Sequence, residues 1–465
     1  MAEKLIIISI SGMRGIIGEN LTPAIAAEYG CAFGTFLREN VETGGRRLTV
    51  CIGRDSRVSG PMLAAAVSAG LCAVGIDVID LGLVTTPGVG LMLRHLGCDG
   101  GIIVTASHNP VPYNGIKLLL GNGMAPPPAT AERIRQGYYD KHFHLVPSTE
   151  CGRITANEQT DQVHVERVLA TVEPERIAGK GYKVVLDSVN GAGARVAKSL
   201  LAALGCEVVA INDEPTGLFA HEPEPTAANL TDLCRQLEQA GADLGFAQDP
   251  DADRLAIVDE KGNYIGEEYT LALAAMHIFS TQGGTAAANL STSRMIDDVA
   301  RQAGGRVIRT PVGEANVANA MIEHGSVIGG EGNGGVIDLR VGPIRDSLVG
   351  MALILQLMAE TGKSVSELVD EIGGYAMHKD KFVADAGQAA EIMRIAGEKL
   401  PGATLNTADG LRLDFDDGWV HLRTSNTEPV MRAIVEARDD ATARRYIDAV
   451  SEIRKSVLEA QGGGR

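Results

Sequence analysis

The sequence predicts an α/β protein with mixed, mostly parallel sheets, closed by a smaller C-terminal α+β domain. Three observations carry this. Strand-like and helix-like segments alternate through most of the chain, the order that parallel sheets with helices on their faces require. The alternation recurs three times with the same parts, which marks a repeated unit. The segment 373–465 then breaks the pattern.

The N-terminal MAEKLIIISISG has too short an apolar run for a signal peptide or a membrane span and reads as a strand. The first copy opens with the strand LTVCIG (48–53) and the polar turn RDSRVSG. A helix over PMLAAAVSAGLCAVG, the strand IDVIDLG, the helix TPGVGLMLRHLG and the strand GGIIV follow, ending in TASHNP (105–110). The second copy runs from the strand YKVVLD (182–187) through the turn SVNGAG, the helix ARVAKSLLAALG, the strand CEVVAIN and the helix NLTDLCRQLEQAG. ADLGFAQ then leads into DPDADR (249–254). The third, looser copy starts at TAAANL (285–290) and continues through STSR, MIDDVARQAG, RVIRT, NVANAMIEHG and SVIGG to EGNGG (331–335). Ligands of parallel sheets sit beyond the carboxyl ends of the strands, and each copy places its most unusual loop there. In the tail, LRLDF, DDG and WVHLR read as a hairpin, because Asp-Gly tolerates the positive φ of a tight turn. VMRAIVEA adds a strand, ATARRYIDAVSEIRKSVLEA a long helix, and RTSNTEP (423–429) a polar loop. Domain boundaries are expected at 1–155, 156–262, 263–372 and 373–465.

Composition narrows the function classes. With 22% charged and 45% hydrophobic residues the 465-residue chain is typical of soluble globular proteins and long enough for several cores. A net charge of -17 argues against nucleic acid as a partner, since that binding neutralises phosphates with Lys and Arg. Aromatic residues at 4% disfavour a carbohydrate groove of stacked rings. The 7 cysteines are scattered, odd in number and never C-x-x-C, which predicts reduced, mostly buried thiols in a cytoplasmic protein.

The loops carry the chemistry. DPDADR offers Asp249, Asp251 and Asp253 at alternating positions, and a bend brings them together. Carboxylates crowded in this way repel unless a cation sits among them, and oxygen ligands suit a hard ion such as Mg²⁺. A solvated acidic turn is the bland alternative. An EF-hand is a rival, since Glu260 falls at the twelfth position from Asp249. Its sixth position needs glycine where Arg254 stands, and the flanks GFAQ and LAIV are strand-like; both features argue against it. Ser107 beside His108 is not a hydrolase dyad: the loop reads T-A-S-H-N rather than G-x-S-x-G, and sequence neighbours rarely pair as nucleophile and base. Cations recur in or beside these polar loops: Arg14 in SGMRGIIG, Arg54 and Arg57 in GRDSR, Lys117 in NGIK, Arg254 and Arg423. Several on the expected ligand side predict an anionic substrate. Ser425, Asn426 and Thr427 suit phosphate oxygens. In EGNGG, Glu331 is an acceptor among glycines that let a backbone approach a polar ring.

Together, and in this order, these loops resemble the α-D-phosphohexomutase superfamily, which includes phosphoglucomutases, phosphomannomutases and phosphoglucosamine mutases. TASHNP resembles the family's phosphoserine loop, DPDADR its metal loop, GGEGNGG its sugar-binding loop and RTSNTEP its phosphate-binding loop. The resemblance covers essentially the whole chain and implies three related α/β domains and a smaller fourth around a central cleft. It implies that Ser107 carries a phosphoryl group and that Asp249, Asp251, Asp253 and the phosphoserine hold Mg²⁺. It makes Arg14, His108 and Lys117 catalytic, with proton transfer or charge stabilisation falling to His108 and Lys117. Arg254, Glu331, Asn333, Arg423, Ser425, Asn426 and Thr427 are then substrate-binding residues. The implied reaction interconverts hexose 6-phosphate and hexose 1-phosphate through a hexose 1,6-bisphosphate, in a monomer or homodimer.

Two departures bear on this. Pro250 replaces the usual glycine of the metal loop, and Asn333 the usual serine of the sugar loop. GE-x-N-G-G resembles archaeal-type phosphoglucosamine mutases, so glucosamine phosphate is the expected substrate, with broad phosphoglucomutase/phosphomannomutase activity as the alternative. Lesser alternatives are a phosphatase using Asp249 as nucleophile and a non-catalytic sugar-phosphate sensor. The phosphatase pattern wants threonine where Asp253 stands. The intact Ser107 and aspartate triplet argue against a sensor.

Overall fold

Three sheets share one four-strand order, and that order explains why the unusual loops converge. In a computed structural model describing residues 7–9, 12–424 and 430–462, the first sheet runs Tyr113–Leu120, Gly100–Val104, Thr49–Arg54, Asp77–Leu83. The second runs Leu255–Val258, Leu244–Gln248, Lys183–Asp187, Glu207–Ile211. The third runs Gly335–Ile337, Ile328–Glu331, Thr285–Asn289, Arg306–Thr310. Within each set the first pairing is antiparallel and the others parallel. The antiparallel strand that closes each unit follows its signature loop, so each such loop is the turn between the last parallel strand and its antiparallel partner. The first sheet is extended by Ile7–Ser9 and Gly12–Ile16 on one edge and Ile154–Ala156 on the other.

The C-terminal sheet is wholly antiparallel, ordered Ala376–Val383, Val430–Ala437, Gly418–Thr424, Leu411–Asp414, Thr404–Asn406. The helices Ala386–Lys399 and Asp440–Gly462 cover its apolar face. The hairpin of the tail forms, but for a different reason than the sequence suggested. Asp416, Asp417 and Gly418 all lack positive φ. Gly418 is needed because a Cβ there would lie 2.3 Å from the Glu436 carbonyl oxygen of the next strand.

The helix Ser347–Thr361 is buried along nearly its whole length and shares one core with residues of the second and third sheets. This explains its apolar composition: with Val365–Ile372 it forms a pair bent by 89° that could pass for a broken membrane span. No single helix among the described residues is long and apolar enough to cross a membrane. All seven cysteines are free; Cys31, Cys51 and Cys98 are buried, three are half-buried and Cys151 is exposed, fewer buried than composition suggested.

Candidate active site

The strand Gly100–Val104 is buried throughout and delivers TASHNP at its carboxyl end. Thr105 Oγ1 donates to Asp55 at 2.7 Å and accepts from Ser107 N at 2.9 Å. Ser107 itself has φ 48, a left-handed conformation that costs energy for any residue with a Cβ and gathers at functional sites. That pose points Ser107 Oγ across the domain boundary, donating to Asp249 Oδ2 at 2.9 Å, with His108 Nδ1 3.3 Å away. Arg57 secures the loop. It pairs with Asp55 at 3.0 Å and donates to the carbonyls of Ser107, Asn109, Pro110 and Tyr113 at 2.6–2.9 Å. Expected from sequence as one of the cations facing an anionic substrate, Arg57 is instead buried, its donors taken by protein oxygens.

DPDADR follows Leu244–Gln248 and turns through Ala252 at φ 57. The turn gathers Asp249, Asp251 and Asp253, all fully buried, with ligand oxygens within 4.8 Å of one another. Burial and the two neighbouring carboxylates hold Asp249 well above the ordinary carboxylate range. Burial also pushes Asp251 up, but Lys117 at 2.9 Å and Thr86 Oγ1 at 2.7 Å outweigh it and bring it below that range. Asp251 Oδ1 and Asp253 Oδ1 are buried without a hydrogen-bond partner. Backbone bonds dock the loop on three sides: Thr86 N to Asp251 O, Ser347 N to Ala252 O, and Leu255 N to Gly334 O.

Lys117 and Arg14 sit on strands rather than in the loops the sequence suggested: Lys117 within Tyr113–Leu120 and Arg14 within Gly12–Ile16. These strands pair closely because Gly12, at φ 102, has no Cβ to strike the Ile116 carbonyl 2.2 Å away. Burial depresses Lys117, yet Asp251 and Asp253 hold it above its ordinary value. Arg14 donates to Asn109 Oδ1 at 2.7 Å. Burial, then the charges of Arg254 and Arg14, hold His108 far below its ordinary value, so its imidazole is neutral.

A cleft of about 770 Å³ opens beside these groups. His108 and Lys117 line it from the first domain, Arg254 and Glu224 from the second, Glu331, Asn333 and Arg345 from the third. Lys379, Lys381, Arg423 and Arg432 face it from the C-terminal sheet. Ser107 and the three aspartates lie one contact deeper. Arg345 ties the walls together, reaching Asp253 at 2.6 Å, Glu331 at 2.8 Å and Glu314 at 3.0 Å.

Comparison with known proteins agrees with this geometry along the whole chain. The phosphoglucomutase/phosphomannomutase descriptions match as α/β/α domain I over residues 7–144, domain II over 162–262, domain III over 266–375 and the C-terminal domain over 379–453. The chain belongs to the phosphoglucomutase/phosphomannomutase family. Members of this α-D-phosphohexomutase superfamily are isomerases, and so is this protein. It is 39% identical over 454 residues to "Phosphoglucomutase/phosphomannomutase" of Thermococcus kodakarensis, covering 96% of this chain and 98% of the relative. It is 40% identical over 453 residues to "Probable phosphoglucosamine mutase" of Methanopyrus kandleri, covering 97% and 98%. The crystal structure of a phosphoglucomutase/phosphomannomutase family protein from Burkholderia thailandensis superposes with a TM-score of 0.85 at 30% identity, over 97% of this chain and 98% of the other.

Against this family frame, the structure brings Arg14, Ser107, His108, Lys117, Asp249, Asp251, Asp253 and Arg254 into one neighbourhood. Arg254 pairs with Glu224 at 3.4 Å. Glu331 and Asn333 stand on the opposite wall. Glu331 accepts from Asn289 at 2.8 Å, Gly313 N at 3.0 Å and Arg345, while the Asn333 side-chain oxygen is buried without a partner. Arg423 lines the cleft and pairs with Asp409 at 3.1 Å. Ser425, Asn426 and Thr427 lie outside the described residues.

Sequence reading missed Arg345, Glu314 and Glu224, and of a row of cations across the C-terminal sheet it named Arg423 alone. Arg432 stands directly opposite both Lys381 and Arg423 on its two neighbouring strands, so the three share one face. The alternation of charged residues with Phe382 and Met431, both buried, was the signal available for that row. For Arg345, in GPIRDS, only proximity in three dimensions reveals the role.

Proposed function

We propose that this isomerase interconverts hexose 6-phosphate and hexose 1-phosphate through a phosphoryl group carried on Ser107, with glucosamine phosphate as the preferred sugar. The observation that carries the mechanism is the strained Ser107, its Oγ aimed at a buried carboxylate cluster that lacks enough donors. The orphaned oxygens of Asp251 and Asp253 and the all-oxygen donor set fit Mg²⁺. Asp249, Asp251, Asp253 and the Ser107 phosphate would hold it. Bound there, the ion supplies neutralisation of charge on the transferring group.

The chain's own groups do the rest. In the first transfer the sugar hydroxyl oxygen bonds to phosphorus as the Ser107 Oγ–phosphorus bond breaks. His108, whose Nδ1 lies 3.3 Å from Ser107 Oγ, and Lys117 handle the proton that leaves the sugar hydroxyl and the proton that the departing Ser107 Oγ takes up, so none is gained or lost in the step. Protonated Lys117, with Arg14 and Arg254, balances the negative charge. The resulting hexose 1,6-bisphosphate turns over in the cleft and returns its other phosphate to Ser107, reversing the same bond changes. The row Lys381, Arg432 and Arg423, with Ser425, Asn426 and Thr427, holds the phosphate that is not transferred. The four domains thus supply, in order, the phosphoserine, the metal, the sugar contacts and the distal phosphate site. The enzyme is a cytoplasmic monomer or homodimer whose partners are small-molecule hexose phosphates.

The amino-sugar reading rests on the unpartnered acceptor Asn333 Oδ1, beside the carboxylate Glu331. Asn333 Oδ1 favours a donor on the sugar, while Glu331, whose oxygens already accept from Asn289, Gly313 N and Arg345, holds the wall on which it stands. The Thermococcus kodakarensis relative, nearly as similar as the Methanopyrus kandleri one, carries the phosphoglucomutase/phosphomannomutase name, which favours broad specificity as the second reading. Comparing kcat/KM for glucosamine, glucose and mannose 6-phosphates at one Mg²⁺ concentration tests both. A clear preference for glucose or mannose phosphate overturns the amino-sugar assignment. Stoichiometric release of inorganic phosphate overturns the mutase mechanism.

A further inference from the structure

The connection 140–147 leaves the helix Pro128–Tyr139 and crosses the end of the helix Pro23–Asn40. Its backbone is fixed at three points. His142 N donates to Gly137 O at 2.9 Å, His144 N to Thr35 Oγ1 at 3.1 Å, and Val146 N to Ala73 O at 3.1 Å. Between the two histidines, Phe143 packs into the core beneath the first sheet. His142 and His144 are both exposed, with ring centroids 5.0 Å apart. Both turn toward one atom, Glu39 Oε1 in the last turn of the helix: His142 Nε2 lies 2.7 Å and His144 Nε2 3.4 Å from it. The donor atoms of the three residues lie within 4.8 Å of one another.

We infer that Glu39, His142 and His144 form a second metal site, for a borderline first-row divalent ion of the Zn²⁺ class. Two imidazoles and a carboxylate are the ligands such ions take, whereas the oxygen-only aspartate cluster suits a harder ion. The two sites therefore select different metals. Three protein ligands leave the remaining coordination to water. The fixed backbone positions both rings in advance, which lowers the ordering cost of binding. The helix C-terminus beside Glu39 adds negative potential that favours a cation. The neighbouring Lys141 is spent on Glu28 at 2.5 Å. None of the three ligands lines the cleft, so the ion acts as a staple between the connection and the helix.

The test uses the full-length protein, stripped with a chelator and supplied with excess Mg²⁺ to occupy the aspartate cluster. Zn²⁺ is titrated against a chromogenic chelator, and Co²⁺ is followed by its visible absorption. One equivalent should bind per chain. His142→Ala and His144→Ala should each weaken it roughly tenfold or more and abolish the Zn²⁺-induced rise in Tm, while keeping wild-type mutase rates in Mg²⁺. Cys151→Ser, which removes the exposed thiol, should bind as wild type does. Unchanged Zn²⁺ affinity in both histidine variants overturns the site, and so does loss of binding in Cys151→Ser.

Discussion

Glu331 on one wall of the cleft and the aspartate triplet one contact behind the facing wall differ in how fully the protein answers their charge. Glu331 is answered completely: Asn289 and Gly313 N serve one oxygen and Arg345 the other. Burial would raise it, but Arg345 and these donors hold it below the ordinary range. The aspartate triplet is not answered. Lys117 and Arg345 reach it, yet two buried oxygens have no donor. A buried acceptor without a partner is costly, and two of them within one carboxylate cluster leave room for a ligand that the chain does not supply. Glu331 is a frame held in place by the protein, and the triplet is the receptor that the proposed mechanism requires. Ser107 is aimed at the receptor.

Ser107→Ala strikes that contrast hardest. Mutase kcat should fall about 10³-fold or more, and the form heavier by one phosphoryl group, about 80 Da, should vanish from the intact mass spectrum. Wild-type turnover in this variant would remove Ser107 from the mechanism. Arg345→Met tests whether frame and receptor are held by one cation. It leaves Asp253, Glu314 and Glu331 facing one another without it, and should cost about 3–5 kcal/mol in denaturant unfolding at neutral pH. A loss below about 1 kcal/mol, the worth of an exposed pair, would show the two walls to be independent. Asp249→Asn sharpens the receptor side alone. It removes one like charge and keeps one oxygen for the Asp253 and Arg254 amides, while its NH2 can donate to Ser107 Oγ, so metal-free Tm should hold or rise. Mg²⁺ should then raise Tm less than in wild type, and kcat should fall about 10²-fold. An unaltered Mg²⁺ response would take Asp249 out of the metal site.

Much of the fold was legible because it is written in short-range pattern. The repeated strand–helix order, the end of each copy in a polar loop, and the hairpin and long helix of the tail all follow from periodicity and turn residues. What escaped were the strands Tyr113–Leu120 and Gly335–Ile337, which follow their loops without a break, and the strand Ala376–Val383, whose charged face hid its alternation. At the site, the carboxylate spacing of DPDADR was visible, and so was the oddity of TASHNP. The task of Arg57 was not, because GRDSR shows its partner Asp55 but gives no sign that four carbonyls of the TASHNP loop and its exit will surround it. Arg345 was invisible for the same reason: its three acids come from segments far apart in sequence and meet only through the packing of two domains.

The smallest predicted effect concerns a third cleft carboxyl, intermediate between frame and receptor. Glu268 accepts from Ser293 N at 2.9 Å, while Lys379, 3.8 Å away, sits closer to Glu267 at 2.6 Å. Its oxygens press against the sugar loop, where a Cβ on Gly332 would fall 1.9 Å from Glu268 Oε2. Burial pushes its pKa up to about 8, against the opposing pull of Lys379. Between about pH 4.5 and about 8 the folded protein therefore keeps a proton that the unfolded chain has released. Where the native state binds more protons, stability falls as pH rises, so this group lowers stability across that window and levels off above it. Glu268→Gln fixes the neutral form. Denaturant unfolding at a series of pH values, with Mg²⁺ saturating throughout, should show a shallower decline in the variant and a gain of about 1–3 kcal/mol above about pH 8. Superimposable profiles would mean that Glu268 is already ionised at neutral pH, answered by Lys379 as fully as Glu331 is by Arg345.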